Sequence, residues 1–348
     1  MSAQLFSTHD RVSDENLTVS FRVLLSLYAI IPVCLLLQWA DHQFWQQSLQ
    51  EYLPSRPEHF VLFQLLFGTP HILASTLILT SNRDYFSFYK SRIAMMTVFI
   101  IAFFGIGSLI IPYRALYILV AAWTVFHVLK QQHGIARGIC RLPGWAYQVL
   151  LWLSVSAGLL VYLGIFLKNS LTFEQAEWIR YGAGTLSVVL LMTTAWCQRY
   201  VASAFGKVFL WSNTMLVISS FYLYIQHYFF LAILVPRLVH DATAYIFYVT
   251  HDYNKHRRQT DNVLYRWAGV WKIPVMWVLP LISFAAAMLL HQYGDLAVAW
   301  ISDFLFGFEI RKAVSLGVIG YLALMHYYTE AFTWKNDSPY RQFIGFSK

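Results

Sequence analysis

His71, His127, His133, His240, His251 and His326 are imidazoles set in or beside long apolar stretches. An ionisable group inside a lipid-facing segment is expensive to keep and usually functional. Imidazole is also the ligand shared by non-haem iron and zinc. The spacings sharpen the point. His240 and His251 are eleven residues apart, which leaves them about 20° apart around an α-helix, and each is followed by an aspartate, Asp241 and Asp252. His326 and Glu330 stand at i, i+4, so imidazole and carboxylate share one helix face. His127 and His133 are six apart and can converge only if their helix ends or unwinds near Gly134. Pro70, preceded by Gly68, predicts a local break just before His71.

A metal site is the chemistry these residues could do. His71, His127, His240 and His326 are the leading ligands, with His133, His251 and Glu330 completing a second site. Tyr327 and Tyr328, beside His326, are candidate catalytic donors to a bound oxygen species, or else packing residues. Arg237 and Asp241, at i, i+4, form either a structural ion pair or, with Asp252, the groups that hold ligands in place. Any single histidine could instead bond a carbonyl on a neighbouring helix. His256, within the run Lys255 to Arg258, reads as a contact to anionic lipid. The three cysteines, Cys34, Cys140 and Cys197, form no CxxC pair, which argues against copper(I), iron–sulfur centres and a disulfide framework.

The elements that must position these groups are transmembrane helices. Of the 348 residues 58% are hydrophobic and 12% charged, and the mean hydropathy is +0.51. A soluble chain carries about 25% charged residues. Apolar stretches at 21–40, 60–81, 93–112, 115–134, 145–167, 180–197, 206–224, 226–253, 271–290 and 312–333 each approach the roughly 20 residues that cross a bilayer. The segment 295–308, with Asp295 and Asp303, reads as an interfacial or re-entrant helix. Most of the 25 Lys and Arg fall on one side of this ten-span layout, and Arg56, Arg114, Lys168, Arg180, Arg311 and Lys312 on the other. That bias places both termini in the cytoplasm. It also accounts for the net charge of +8, so nucleic acid is not an expected partner. Asp10, Asp14 and Glu15 leave no basic region for a cleaved signal, and 1–20 reads as a cytoplasmic tail. The expectation is therefore all-α: one integral membrane domain over 1–348, a polytopic helical bundle of about ten spans.

In layout the chain resembles the histidine-rich membrane-embedded iron oxygenases, such as fatty-acid desaturases and alkane hydroxylases. The HxxxH and HxxHH boxes of those enzymes are absent, and His127–His133 is wider than the desaturase first box. A second resemblance is to the bacterial β-carotene-cleaving dioxygenases, through Gly68-Thr69-Pro70-His71 and, more loosely, Gln132-His133-Gly134. The first resemblance implies iron ligands at the cytoplasmic ends of the helices, the second a Gly-x-Pro-His ligand at His71.

The function expected from these readings is a membrane oxidoreductase with one or two non-haem irons facing the cytoplasmic side. It would use O₂ on a lipid-soluble substrate: an acyl chain, a carotenoid or another hydrocarbon. The bilayer is its setting, and an electron-donor protein is a further partner such chemistry can draw on. Three rivals stay open: a zinc hydrolase acting on a lipid, a haem b electron carrier with two axial histidines, and a transporter with a histidine proton relay.

Overall fold

In the computed structural model the described residues are 16–55, 64–257, 262–335 and 337–347. Most of the expected tail 1–20, Arg56, His59, the opening of the stretch 60–81, Arg258 and Lys348 lie outside them. Of the described residues 84% are helical, and the fold is all-α. Its helices are α1 (Phe21–Phe44), α2 (Ser48–Tyr52), α3 (Thr69–Ser81), α4 (Arg83–Leu109), α5 (Tyr113–Cys140), α6 (Gly144–Phe166), α7 (Phe173–Cys197), α8 (Ala204–Ile225), α9 (Phe229–His256), α10 (Val263–Val270), α11 (Val275–Phe306) and α12 (Ile319–Thr333). Two short strands, β1 (Thr18–Ser20) and β2 (Gly345–Ser347), pair in parallel.

Among the described residues six helices, α1, α4, α6, α8, α9 and α11, are long and apolar enough to cross a membrane. That is consistent with an integral membrane protein. The other expected stretches are helical too, but fall short for separate reasons. Helices α5 and α7 have 28 and 25 residues, with charges such as Lys130, Arg137, Glu174 and Glu177 set into them. Helices α3 and α12 have only 13 and 15 residues. Each is preceded by a π-helical turn, Gln64–Gly68 and Ala313–Val318. At the break expected before His71 the chain stays helical, changing from π to α at Gly68 and Thr69. Helix α5 runs unbroken through Gly134 to Cys140. The segment 295–308 is not a separate interfacial helix: it continues α11 to Phe306 through a π turn at Leu290–Gly294. Asp295 is satisfied there because its Oδ1 accepts from the backbone N–H of Val314 at 2.7 Å and of Ser315 at 3.1 Å.

The chain divides into two compact units. One holds Met1–Phe21, Leu62–Leu116 and Thr243–Lys348; the other holds Arg22–Val61 and Tyr117–Ala242. In the first, α3 packs on α11 and α12, around Ile78, Tyr85, Tyr89, Tyr248 and Phe332. Asn254 ties the chain ends to α9: its Oδ1 accepts from Leu17 N–H, and its Nδ2 donates to the carbonyls of Leu17 and Phe343, each at 2.9 Å. In the second unit α6, α7 and α8 pack together around Leu150, Leu190, Leu210 and Val217. Gly164 is required in α6, because a Cβ there would run into the ring of Tyr224. Pro236 lies inside α9 and has no N–H for the carbonyl of Ala232, four residues back. The hydroxyl of Ser220 on α8 donates to that carbonyl instead, at 2.5 Å, so the helix passes through the proline with its backbone satisfied.

Candidate metal centre

Each unit presents a pair of histidines. In the first unit His71 stands in the first turn of α3. Pro70 sits before it, where a missing N–H costs nothing. His326 projects from α12. Both are fully buried. Their Nε2 atoms are 3.1 Å apart and their rings meet edge to face at 4.7 Å. Two imidazole nitrogens about 2.1 Å from one metal, on neighbouring positions of a tetrahedron or octahedron, lie roughly 3.0–3.4 Å from each other. The observed separation falls inside that range. It also fits a single N–H···N hydrogen bond between the two rings.

In the second unit His127 on α5 faces His240 on α9. The ring centroids are 4.8 Å apart at 81°, and both side chains are buried. Arg237, one turn before Asp241, places its Nε 3.5 Å from Asp241 Oδ2. Asp241 Oδ1 is 3.9 Å from His240 Nε2, beyond hydrogen bonding but close enough to act through its charge. The same unit holds a narrow crevice between α5, α6, α8 and α9, lined by Val125, Val128, Leu129, Val161, Tyr162 and Pro236 among others, with Arg237 at its wall.

His71, His127, His240 and His326, all buried, lie close enough to bind a metal ion: their ligand atoms fall within 4.8 Å of one another. The donor set is four imidazoles with no thiolate and no carboxylate. Neutral imidazole is a good ligand for divalent first-row metals and adds no charge to the ion it holds.

The remaining expected residues take other partners. His133 Nε2 pairs with Ser154 Oγ at 2.9 Å. Six residues turn a helix by 600°, about 120° away from His127, and α5 does not unwind to undo this. His251 Nε2 pairs with Tyr85 Oη at 2.8 Å, and its ring stacks on Tyr340 at 5.0 Å. It shares a face with His240 but stands eleven residues further along α9, about 16 Å by helical rise, which is too far for one ion. The Glu330 carboxylate accepts from Tyr248 Oη and, at 3.0 Å, from Trp334 Nε1. Asp252 is 3.7 Å from His256 Nε2. Tyr327 is buried with its ring 5.7 Å from that of His326, whereas Tyr328 packs edge-on against Phe332. The second set of His133, His251 and Glu330 is therefore not gathered at one point.

Two features were not read from the sequence. Thr69 Oγ1 is 2.9 Å from His291 Nε2, which links the π turn within α11 to the turn that carries His71. Trp334 completes a ladder with His326 and Glu330 at i, i+4 and i+8, a spacing the sequence does contain. No family model, curated protein or solved structure matches the chain.

Proposed function

We propose that the chain is a membrane-embedded non-haem iron oxidoreductase that uses O₂ on a lipid-soluble substrate, with His71, His127, His240 and His326 holding the iron. The convergence of four buried imidazoles is the observation that carries this reading. Four nitrogen ligands fill a tetrahedral zinc and leave no position for the water that hydrolysis needs. The same four ligands leave an octahedral iron two free positions. A haem b would need two histidines with room for the porphyrin between them, and His71 and His326, at 3.1 Å, are too close to be that pair. The crevice of the second unit supports an apolar substrate, since most of the residues lining it are aliphatic or aromatic. Such walls keep water from a reactive oxygen species. Tyr327, with its ring 5.7 Å from that of His326, is the tyrosine that would serve a bound oxygen species.

The test is metal analysis of the purified protein, followed by nitric oxide binding under reducing conditions. Near-stoichiometric iron with a high-spin iron–nitrosyl EPR signal is expected. Stoichiometric zinc, or a Soret band, would displace iron from the account. A second reading, a proton-coupled transporter, draws on the direct His71–His326 contact, which is also how two imidazoles share a proton. Protein with no bound metal, but with proton uptake on substrate addition, would favour it.

For the membrane arrangement we propose ten spans with both termini cytoplasmic and the centre in the cytoplasmic half, supported by the distribution of Lys and Arg. Helix α6 offers the simplest check. It lies between the turn at Arg141–Pro143 and the short turn at Lys168–Ser170. A reporter inserted after Arg141 should read cytoplasm, and one after Lys168 the opposite side. The same side for both would overturn the arrangement.

A further inference from the structure

Aromatic rings run in close steps through the first unit, from the neighbourhood of His326 to a charged rim. Trp334 donates its indole N–H to Glu330, one helical turn from His326. The Trp334 and Tyr340 ring centroids are 5.5 Å apart. Tyr340 then stacks on Tyr85 at 4.2 Å and 22°. Tyr85 is hydrogen-bonded to His251 Nε2 and covered by the ammonium of Lys255, 3.9 Å from its ring centroid. Lys255 in turn pairs with the exposed Asp84 at 2.6 Å. Tyr85 and Tyr340 are both buried, and burial holds the Tyr340 phenol well above its ordinary pKa. Tryptophan and tyrosine are the readily oxidised side chains, and ring-to-ring steps of this size let a hole hop quickly between them. Packing alone would be served as well by phenylalanine and leucine. Here each end of the path also has a group that can take its proton: Glu330, which accepts from the Trp334 indole, and His251, paired with the Tyr85 hydroxyl.

We propose that Trp334, Tyr340 and Tyr85 form an escape path for oxidising equivalents, with Tyr85–His251 as the resting place of the hole. The proposal rests on the iron reading above. Its occasion is a reaction of the centre with O₂ or peroxide when no substrate is in place. One electron then leaves Tyr85 and fills the vacancy at the centre by way of Tyr340 and Trp334. The Tyr85 phenolic proton moves to His251 Nε2, which leaves a neutral tyrosyl radical. Tyr340 and Trp334 pass the hole on and end unchanged, the indole proton being held toward Glu330 during transit. A thiolate from solution then supplies one electron at the rim, His251 returns the proton to Tyr85, and two thiyl radicals couple to a disulfide.

The experiment mixes the full-length, iron-loaded protein with hydrogen peroxide in the absence of substrate and freezes it for EPR, with iron content measured on the same sample. The wild type should show a tyrosyl radical. Tyr85→Phe, which keeps the stacked ring and should keep wild-type iron, should lose that signal and be inactivated faster by peroxide. Tyr253→Phe, on α9 with His251, should leave the signal unchanged. Tyr340→Phe should strand the hole as an indolyl radical on Trp334. A wild-type signal in Tyr85→Phe, or oxidised iron with no protein radical, overturns the path while the iron reading stands. Absence of iron from the wild-type sample removes the oxidant and overturns both, and the metal measurement tells the two cases apart.

Discussion

Alanine at His71, His127, His240 or His326 should strip the metal from a protein that still folds, one substitution being enough in each case. Removing a partner that merely holds a ligand typically lowers metal affinity by about 10–100-fold. Removing a ligand itself should exceed that. The loss should be visible as metal content near zero after purification and as absent O₂ consumption. Folding should survive, because the helices carrying these residues are anchored by packing elsewhere, α12 through Phe332 and its neighbours and α9 through Tyr248 and Ala244. Bound metal does stabilise the native state by mass action, so the variants should also melt earlier than the loaded wild type. The discriminating members of the set are His133→Ala and His251→Ala. Both residues belong to the histidine pattern of the sequence, yet their Nε2 atoms pair with Ser154 and Tyr85. They should keep wild-type metal. His42 and His227, both exposed, are the neutral controls. His291 is not one, because it bonds Thr69, two residues from His71. Full metal in all four of the first variants would sink the iron and zinc readings together.

What could be read in advance follows from what a sequence encodes locally. Apolar runs of about 20 residues and the 3.6-residue period give helices and the approximate height of a side chain along each one. That is why His71, His127, His240 and His326 could be named, since four helices carried imidazoles to similar depths. Height and face do not reveal which neighbour a side chain meets. His251 lies on the face of His240, but the partner that claims it, Tyr85, is 166 positions away in the chain. Glu330 sits one turn from His326 as expected, and Tyr248 and Trp334 take its oxygens. Nor could charge alone fix the fate of 295–308. Asp295 marked it as polar, whereas in the fold that carboxylate caps the backbone near Val314 and lets α11 continue. The span count is harder for a related reason. Helices α3 and α12 each need a π-helical turn to extend them, and a π turn leaves no distinct mark in the hydrophobic pattern.

Asp241→Asn should be among the most damaging single substitutions outside the four ligands, and it should hurt more than the double change Arg237→Met/Asp241→Asn. The two side chains are 8% and 3% exposed, with Nε and Oδ2 3.5 Å apart on successive turns of α9. A buried pair gains little over two neutral residues of similar shape, because desolvating both charges offsets their attraction. Removing one member is another matter: it costs about 3–5 kcal/mol, since a buried charge loses the opposite charge that balanced it. Arg237 is buried here at the wall of the crevice it lines with Val125, Pro236 and Tyr162. The yield of folded protein and its melting temperature should therefore fall steeply in Asp241→Asn and recover in the double variant. Metal content separates this from a more direct role. Asp241 Oδ1 is 3.9 Å from His240 Nε2, so its negative charge also favours a cation held at that ring. If Asp241 serves only to balance Arg237, the double variant should regain both stability and metal. If it also supports the centre, the double variant should fold well yet bind metal about 10–100-fold more weakly, the usual effect of losing an outer partner of a ligating histidine. Equal stability in the single and double variants would mean that Arg237 does not depend on Asp241 at all, and the ion-pair account would have to be given up.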